Sequence, residues 1–158
     1  MQVKIANGKY KLANVPKPHS AFQIYVVQIA PKSGLCSIRA VGNVISTSGF
    51  GIELRFEFSK MEGKLKKVYG KHKTSDFLMT GSLWEEPQYF MMGLLKKDRV
   101  LAAFWREKED STFSDNIKDV TLITNALTTD RGFVAVEYSF TNEEACDSEL
   151  SAKNDSSL

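Results

Sequence analysis

The stretch "FGIELRFEFSK" spaces Phe50, Ile52, Leu54, Phe56 and Phe58 two residues apart, with Gly51, Glu53, Arg55 and Glu57 between them. Side chains alternate across an extended chain, so this spacing predicts a strand with one oily face and one charged face. Such a strand must pair with others and cover its apolar face, which commits the chain to a sheet architecture. The preceding "TSGFG" feeds that strand rather than a helix, and its glycines are expected to relieve a bend or bulge.

Other segments repeat the period of two. Val3 and Ile5 precede Asn7-Gly8 and Tyr10 and Leu12 follow it, which predicts a hairpin with a type I′ turn. "FQIYVVQIAPKSGLCSIRAVGNVIS" reads as two strands reversing at Pro31 to Gly34. "YFMMGLLKKDRVLAAFWRE" reads as two apolar arms around Lys96 to Arg99, and "TLITNALTTDRGFVAVEYSF" as two arms around Thr128 to Gly132. Residues 115 to 128 offer both a helical spacing capped by Ser114 and a strand; their Thr, Val and Ile content leans toward the strand. Ser59 to Tyr69 opens like a capping box, but Gly63 and a turn at "MEGK" favour a hairpin. Together these predict a mainly β fold, an antiparallel meander of about eight to eleven strands with at most one or two short helices. So long a meander must manage its edges, by closing into a β-barrel or by folding into a strongly curved sandwich. In meander and size it resembles lipocalin-like and fatty-acid-binding barrels by analogy, although the Gly-x-Trp opening of a lipocalin is absent.

Residues 1–141 are expected to form a single barrel-like domain. The remainder, 142–158, is expected to be a disordered acidic tail: from 143 onward it holds five acids against one lysine and few apolar groups. Cys36 and Cys146 match no metal or redox spacing; two isolated cysteines read as reduced thiols, with a mutual disulfide the less favoured alternative. No apolar run suggests a signal peptide or a membrane span, so the reading is a soluble, cytoplasmic protein. Asn154-Asp155-Ser156 matches a glycosylation sequon and is read as chance.

His19 and His72 are the two histidines, and neither is spaced with cysteines or carboxylates as a metal ligand would be. "EKEDSTFSD" (107 to 115) lacks the order of an EF-hand loop and reads as an acidic solvated loop. No GxSxG, phosphate loop or dinucleotide fingerprint occurs. Glu85-Glu86 is the most suggestive carboxylate pair, yet Glu-Glu-Pro reads more simply as a turn. No catalytic residue, metal or cofactor is therefore assigned, and an enzyme is not the favoured reading.

Charge is unevenly placed. The chain carries a formal net charge of +2, yet residues 59 to 73 hold six lysines and a histidine around one glutamate. The simpler reading is a solvated hairpin whose lysines protect a sheet edge. The functional reading is a landing surface for an anion: Arg55, Lys64, Lys66, Lys67 and Lys71, with Tyr69 and Trp84 as stacking faces. Tyr89 to Met92, Phe104 and Trp105 form an adaptable apolar run, with Arg99 and Arg106 placed to orient an acidic head group. Apolar residues on both faces of that run suggest a strand covered on both sides, hence a homo-oligomer. Nucleic acid is not favoured, because a pI of about 8.5 is mild. The acidic tail is a candidate to lie over the lysines. The leading reading is a non-catalytic β-barrel module holding a small, anionic, nucleotide-like ligand between its interior and the lysine-rich rim, as a sensor or regulatory domain would. The runner-up is a protein-interaction module, such as an inhibitor or assembly subunit, using exposed hairpins or an edge strand.

Overall fold

The computed structural model describes residues 2–106, 111 and 113–155. The part of the acidic loop spanning 107–110, and Ser156 of the sequon, lie outside these residues. Strands β1 (Gln2–Ala6), β2 (Lys9–Leu12), β3 (Phe22–Ala30), β4 (Gly34–Gly42) and β5 (Ile45–Ser46) come first, followed by helix α1 (Ile52–Tyr69). Then come β6 (Lys73–Leu78), a 3-10 turn (Pro87–Tyr89), α2 (Phe90–Leu95), β7 (Arg99–Arg106), β8 (Ile117–Thr128), β9 (Arg131–Phe140) and α3 (Glu143–Asp155).

The strands form one antiparallel sheet in the order β1-β2-β3-β4-β9-β8-β7-β6, with β5 added beside β9. Strands β1 and β6 end the sheet without meeting, so the closed barrel expected from the meander does not form. Bulges in β1–β2, β3–β4 and β8–β9 bend the sheet instead. Helix α1 occupies the space that closure would have enclosed: it packs on β8, β9 and β5, and its Arg55 and Glu62 reach Asp76, His72 and Thr74 at the β6 side. Asn7-Gly8 does turn a two-residue hairpin between Ala6 and Lys9. Its type differs from expectation, because Gly8 has φ 71° whereas Asn7 is not in the left-handed region.

The largest correction concerns residues 50–69. The alternating stretch and the lysine "hairpin" are one helix of 18 residues, α1. Leu54, Phe58, Met61 and Leu65 recur at steps of four, three and four and are 0–7 % exposed, whereas Ile52 and Phe56 are 62 % and 66 % exposed. Two patterns overlap in these residues, and the helical one wins because it buries a continuous stripe against the sheet. Each of those four side chains contributes about 1.5–3 kcal/mol by leaving water. Gly51 helps decide it: at φ 66° it leaves the extended region, and a side chain there would run into the Phe90 ring.

Two further segments differ. The first arm of "YFMMGLLKKDRVLAAFWRE" is a 3-10 turn and α2 rather than a strand, while its second arm is β7. Residues 143–155, expected to be disordered, form α3, so the described residues hold three helices rather than one or two short ones. Cys146 of α3 is bonded to Cys36 of β4, overturning the expectation of reduced thiols. Ala30, Cys36, Cys146 and Leu150 make a small second core. Asn7 Nδ2 donates to the Leu150 carbonyl and the Lys32 and Ser33 amides donate to Glu149, so α3 sits by the β3–β4 hairpin rather than over the lysines. The main core joins α1 and α2 to Leu101, Ala103, Trp105, Val120, Leu122, Val134 and Val136 on the inner face of the sheet. No helix among the described residues is long and apolar enough to cross a membrane.

Candidate functional site

Four of the residues singled out from the sequence meet around α2: Arg55, Trp84, Tyr89 and Arg99. Arg99 begins β7 and Arg55 lies in the second turn of α1, and both guanidinium groups share Asp76 of β6. Arg99 Nη2 donates to Asp76 Oδ1 at 2.6 Å, and Arg55 Nη1 lies 3.7 Å from Asp76 Oδ2. The same two cations sit over the Phe90 ring, with Cζ 3.9 Å (Arg55) and 5.2 Å (Arg99) from its centroid. Among the described residues, two positive charges thus answer to one carboxylate. Desolvation lowers the Arg55 pKa, with Asp76 opposing the shift and Arg99 adding to it. Gly93 of α2 lets this packing happen: a Cβ there would stand 3.0 Å from that of Arg99 and 3.8 Å from that of Trp84. The Trp84 and Tyr89 rings meet edge to face at 5.6 Å.

Arg99 also borders a cleft. The β7–β8 pairing stops at Ala102 opposite Ile123, although β8 continues to Thr128 beside β9. The Thr124 hydroxyl, donating to the Leu101 carbonyl at 2.9 Å, is a further link between the two strands. Where pairing stops, a cleft of about 290 Å³ opens, walled by Leu94, Leu95, Val100 and Ile123 and bordered by Arg99 and Asn125. Arg99 Nε and Asn125 Nδ2 are both buried and have no hydrogen-bond partner among the described residues. A buried donor without an acceptor costs roughly 1–3 kcal/mol, so an acceptor brought to either group would be favoured.

The other predicted residues lie elsewhere. Lys66 and Lys67 occupy the last turn of α1, where positive charge complements the exposed carbonyls of the helix end. Lys66, Lys71, His72 and Lys73 line a separate notch of about 290 Å³. Beneath it Trp105 is fully buried, donates from Nε1 to the Gly70 carbonyl at 3.1 Å, and stacks on the His72 ring at 4.5 Å. His72 Nε2 is 3.2 Å from Glu62 Oε2, which also accepts from the Thr74 hydroxyl at 2.6 Å. Tyr69 packs edge to face on Tyr138, and burial raises the pKa of both hydroxyls. Lys64 lines a larger groove of about 730 Å³ beside α1, together with Lys60, Glu53 and Glu57. That groove balances its own charge: Lys60 is 3.7 Å from Glu57, and the Thr47 hydroxyl donates to Glu53, lowering the pKa of that carboxylate. Arg106 lies on the opposite face of the sheet, 5.1 Å from the Phe104 ring.

Asp76 and Asn125 were missed from the sequence, whereas Phe90 was read there as part of the apolar run Tyr89 to Met92 that Arg99 flanks. Asn125 carried a readable signal, as a lone amide in the apolar run "TLITNALT". Asp76 carried none, since its role depends on α1 being brought beside β6 and β7. Comparison with protein-family models, with curated proteins and with solved structures finds no match, so the functional argument rests on this geometry.

Proposed function

We propose that the protein is a non-catalytic binding module for a small anion with an apolar body, held at the β7–β8 cleft. One observation carries this reading: Arg99 and Asn125 border the same apolar-walled cleft, and each keeps a buried donor with no acceptor among the described residues. The surplus charge of Arg55 and Arg99 over Asp76 favours an anion, and the leucine and valine walls favour an apolar remainder. A volume of about 290 Å³ suits a compact carboxylate or phosphate ester better than a nucleotide. The lysine-ringed notch is a weaker candidate, because Lys66 already answers to the end of its own helix. Calorimetric titration with inorganic phosphate and a series of short-chain carboxylates tests the reading. Saturable binding is expected, weakened about tenfold or more in Arg99→Gln. Equal binding by the variant, or no binding across the series, overturns it.

A further inference from the structure

Among the described residues, three that are not glycine hold a left-handed backbone: Lys97 (φ 62°), Asp115 (φ 57°) and Asn116 (φ 62°). Asp and Asn tolerate that region because their short polar side chains bond locally, whereas a lysine Cβ crowds the carbonyl oxygen that follows. Lys97 is there because of how α2 ends. The Asp98 amide donates to the Gly93 carbonyl at 2.9 Å and the Lys97 amide to the Leu94 carbonyl at 3.1 Å, the paired closing bonds of a Schellman motif. That motif requires a left-handed residue at position 97, where glycine is the usual choice. The helix does not need a cation at that position, since Lys96 at the C-cap already brings positive charge to the carbonyl end of α2. What Lys97 does border is the β7–β8 cleft. No carboxylate lines that cleft among the described residues, and Lys97 has no ion pair or side-chain hydrogen bond among them. In the groove beside α1, by contrast, Lys60 and Lys64 share the lining with Glu53 and Glu57.

We propose that Lys97 makes this cleft selective for a phosphate monoester with a short apolar tail over a carboxylate of the same length. The inference rests on the anion site proposed above and names its ligand class. Among the described residues Asp76 offsets one of the two charges of Arg55 and Arg99, and Lys97 adds a further positive charge at the cleft. A phosphate monoester carries about −1.5 to −2 charge at neutral pH and three terminal oxygens, where a carboxylate has a single charge and two oxygens. Arg99 Nε and Asn125 Nδ2, buried and without acceptors among the described residues, offer a donor to two of those oxygens. The Lys97 ammonium, on a flexible stem, offers donors to the third. The tail then lies along Leu94, Leu95, Val100 and Ile123. A lysine kept in a backbone conformation that favours glycine is what a binding residue at this helix end requires.

Calorimetric titration of the full chain with n-butyl phosphate and with pentanoate, at about pH 7.5 where the ester is mostly a dianion, is the test. The ester is expected to bind about tenfold tighter than the carboxylate. Lys97→Gly is expected to lose about tenfold in affinity for the ester and less for the carboxylate, so that the preference narrows. The same variant is expected to melt at the wild-type temperature or up to about 4 °C above it, because glycine takes the left-handed backbone without strain. Equal binding of the two ligands by the wild-type chain, or a preference that survives in Lys97→Gly, overturns the role of Lys97 and leaves the anion site standing. A variant that melts below the wild type does the same, since the lysine would then be there for the fold. Binding of neither ligand, or unchanged ester affinity in Arg99→Gln, overturns the anion site and this inference with it.

Discussion

Cys36 of β4 and Cys146 of α3 are joined by a disulfide that closes 110 residues of sequence. With Leu150 and Ala30 around it, this bond supplies much of what holds α3, since the helix has few apolar residues of its own. Removing a link across so long a loop releases about 4–5 kcal/mol of unfolded-chain entropy in the simplest treatment. Cys146→Ser is expected to lower Tm by on the order of 10 °C and to open α3 to protease. A reduced protein that melts with the oxidised one, and resists digestion equally, contradicts the tether.

Helix and strand readings of residues 50–65 make opposite demands on two phenylalanines. Phe58 is 2 % exposed and Phe56 is 66 % exposed. Phe58→Ala is expected to cost about 3–5 kcal/mol and Phe56→Ala less than about 1. Urea denaturation of both variants decides it: similar losses would restore the strand.

Among the described residues Asp76 is the one anion bonded to both Arg55 and Arg99, so Asp76→Asn leaves two guanidinium groups over one ring. All three groups are partly solvated, which limits the loss to about 1 kcal/mol. Arg55→Ala in that background is expected to recover part of it, giving a positive coupling in a double-mutant cycle. Purely additive urea midpoints would remove the shared-carboxylate interpretation.

Tyr138 is expected to set an alkaline limit. Burial raises its pKa in the fold above the ordinary value of about 10, so the folded state binds its proton more tightly than the unfolded state. That contribution is complete below about pH 10 and is lost as pH rises toward the folded pKa. Tm should therefore hold to about pH 10 and fall above it, and Tyr138→Phe should fall less steeply over the same interval. Parallel alkaline melting curves for the two proteins would exclude the assignment.

The acid side is governed in part by Glu53. The Thr47 hydroxyl holds its pKa below the usual carboxylate value, so the stabilisation is present above about pH 4.5 and fades as pH drops further. Thr47→Val should flatten the decline in Tm between about pH 5 and pH 3. An unchanged acid profile would show that the bond has no thermodynamic weight.

Where the hydrophobic pattern was unambiguous, local reading sufficed. Pro31 to Gly34 and Thr128 to Gly132 mark the turns that join β3 to β4 and β8 to β9, and the Thr- and Val-rich stretch 117–128 is β8 as its stiff side chains suggested. Phe133 and Ala135 do face away from Val134 and Val136, as the alternation in the sequence suggested. Arg55 and Arg99 were picked out by charge and aromatic company, 44 positions apart, with nothing in either segment to show that they share Asp76.

The sequence alone determined the strand pairs that reverse at Asn7-Gly8, Pro31 to Gly34 and Thr128 to Gly132, and where positive charge concentrates, because those follow from side-chain period, proline and glycine within a few residues. Only the tertiary structure decided that residues 52–69 coil, since Phe50 to Phe58 fits two periods and the choice falls to whichever stripe finds a surface to cover. It also decided that α1 fills the sheet's concavity, that Cys146 reaches Cys36, and that β7 leaves β8 at Ala102 to open the cleft. Each of these depends on atoms far apart in sequence competing for the same buried volume, and no local window contains both competitors.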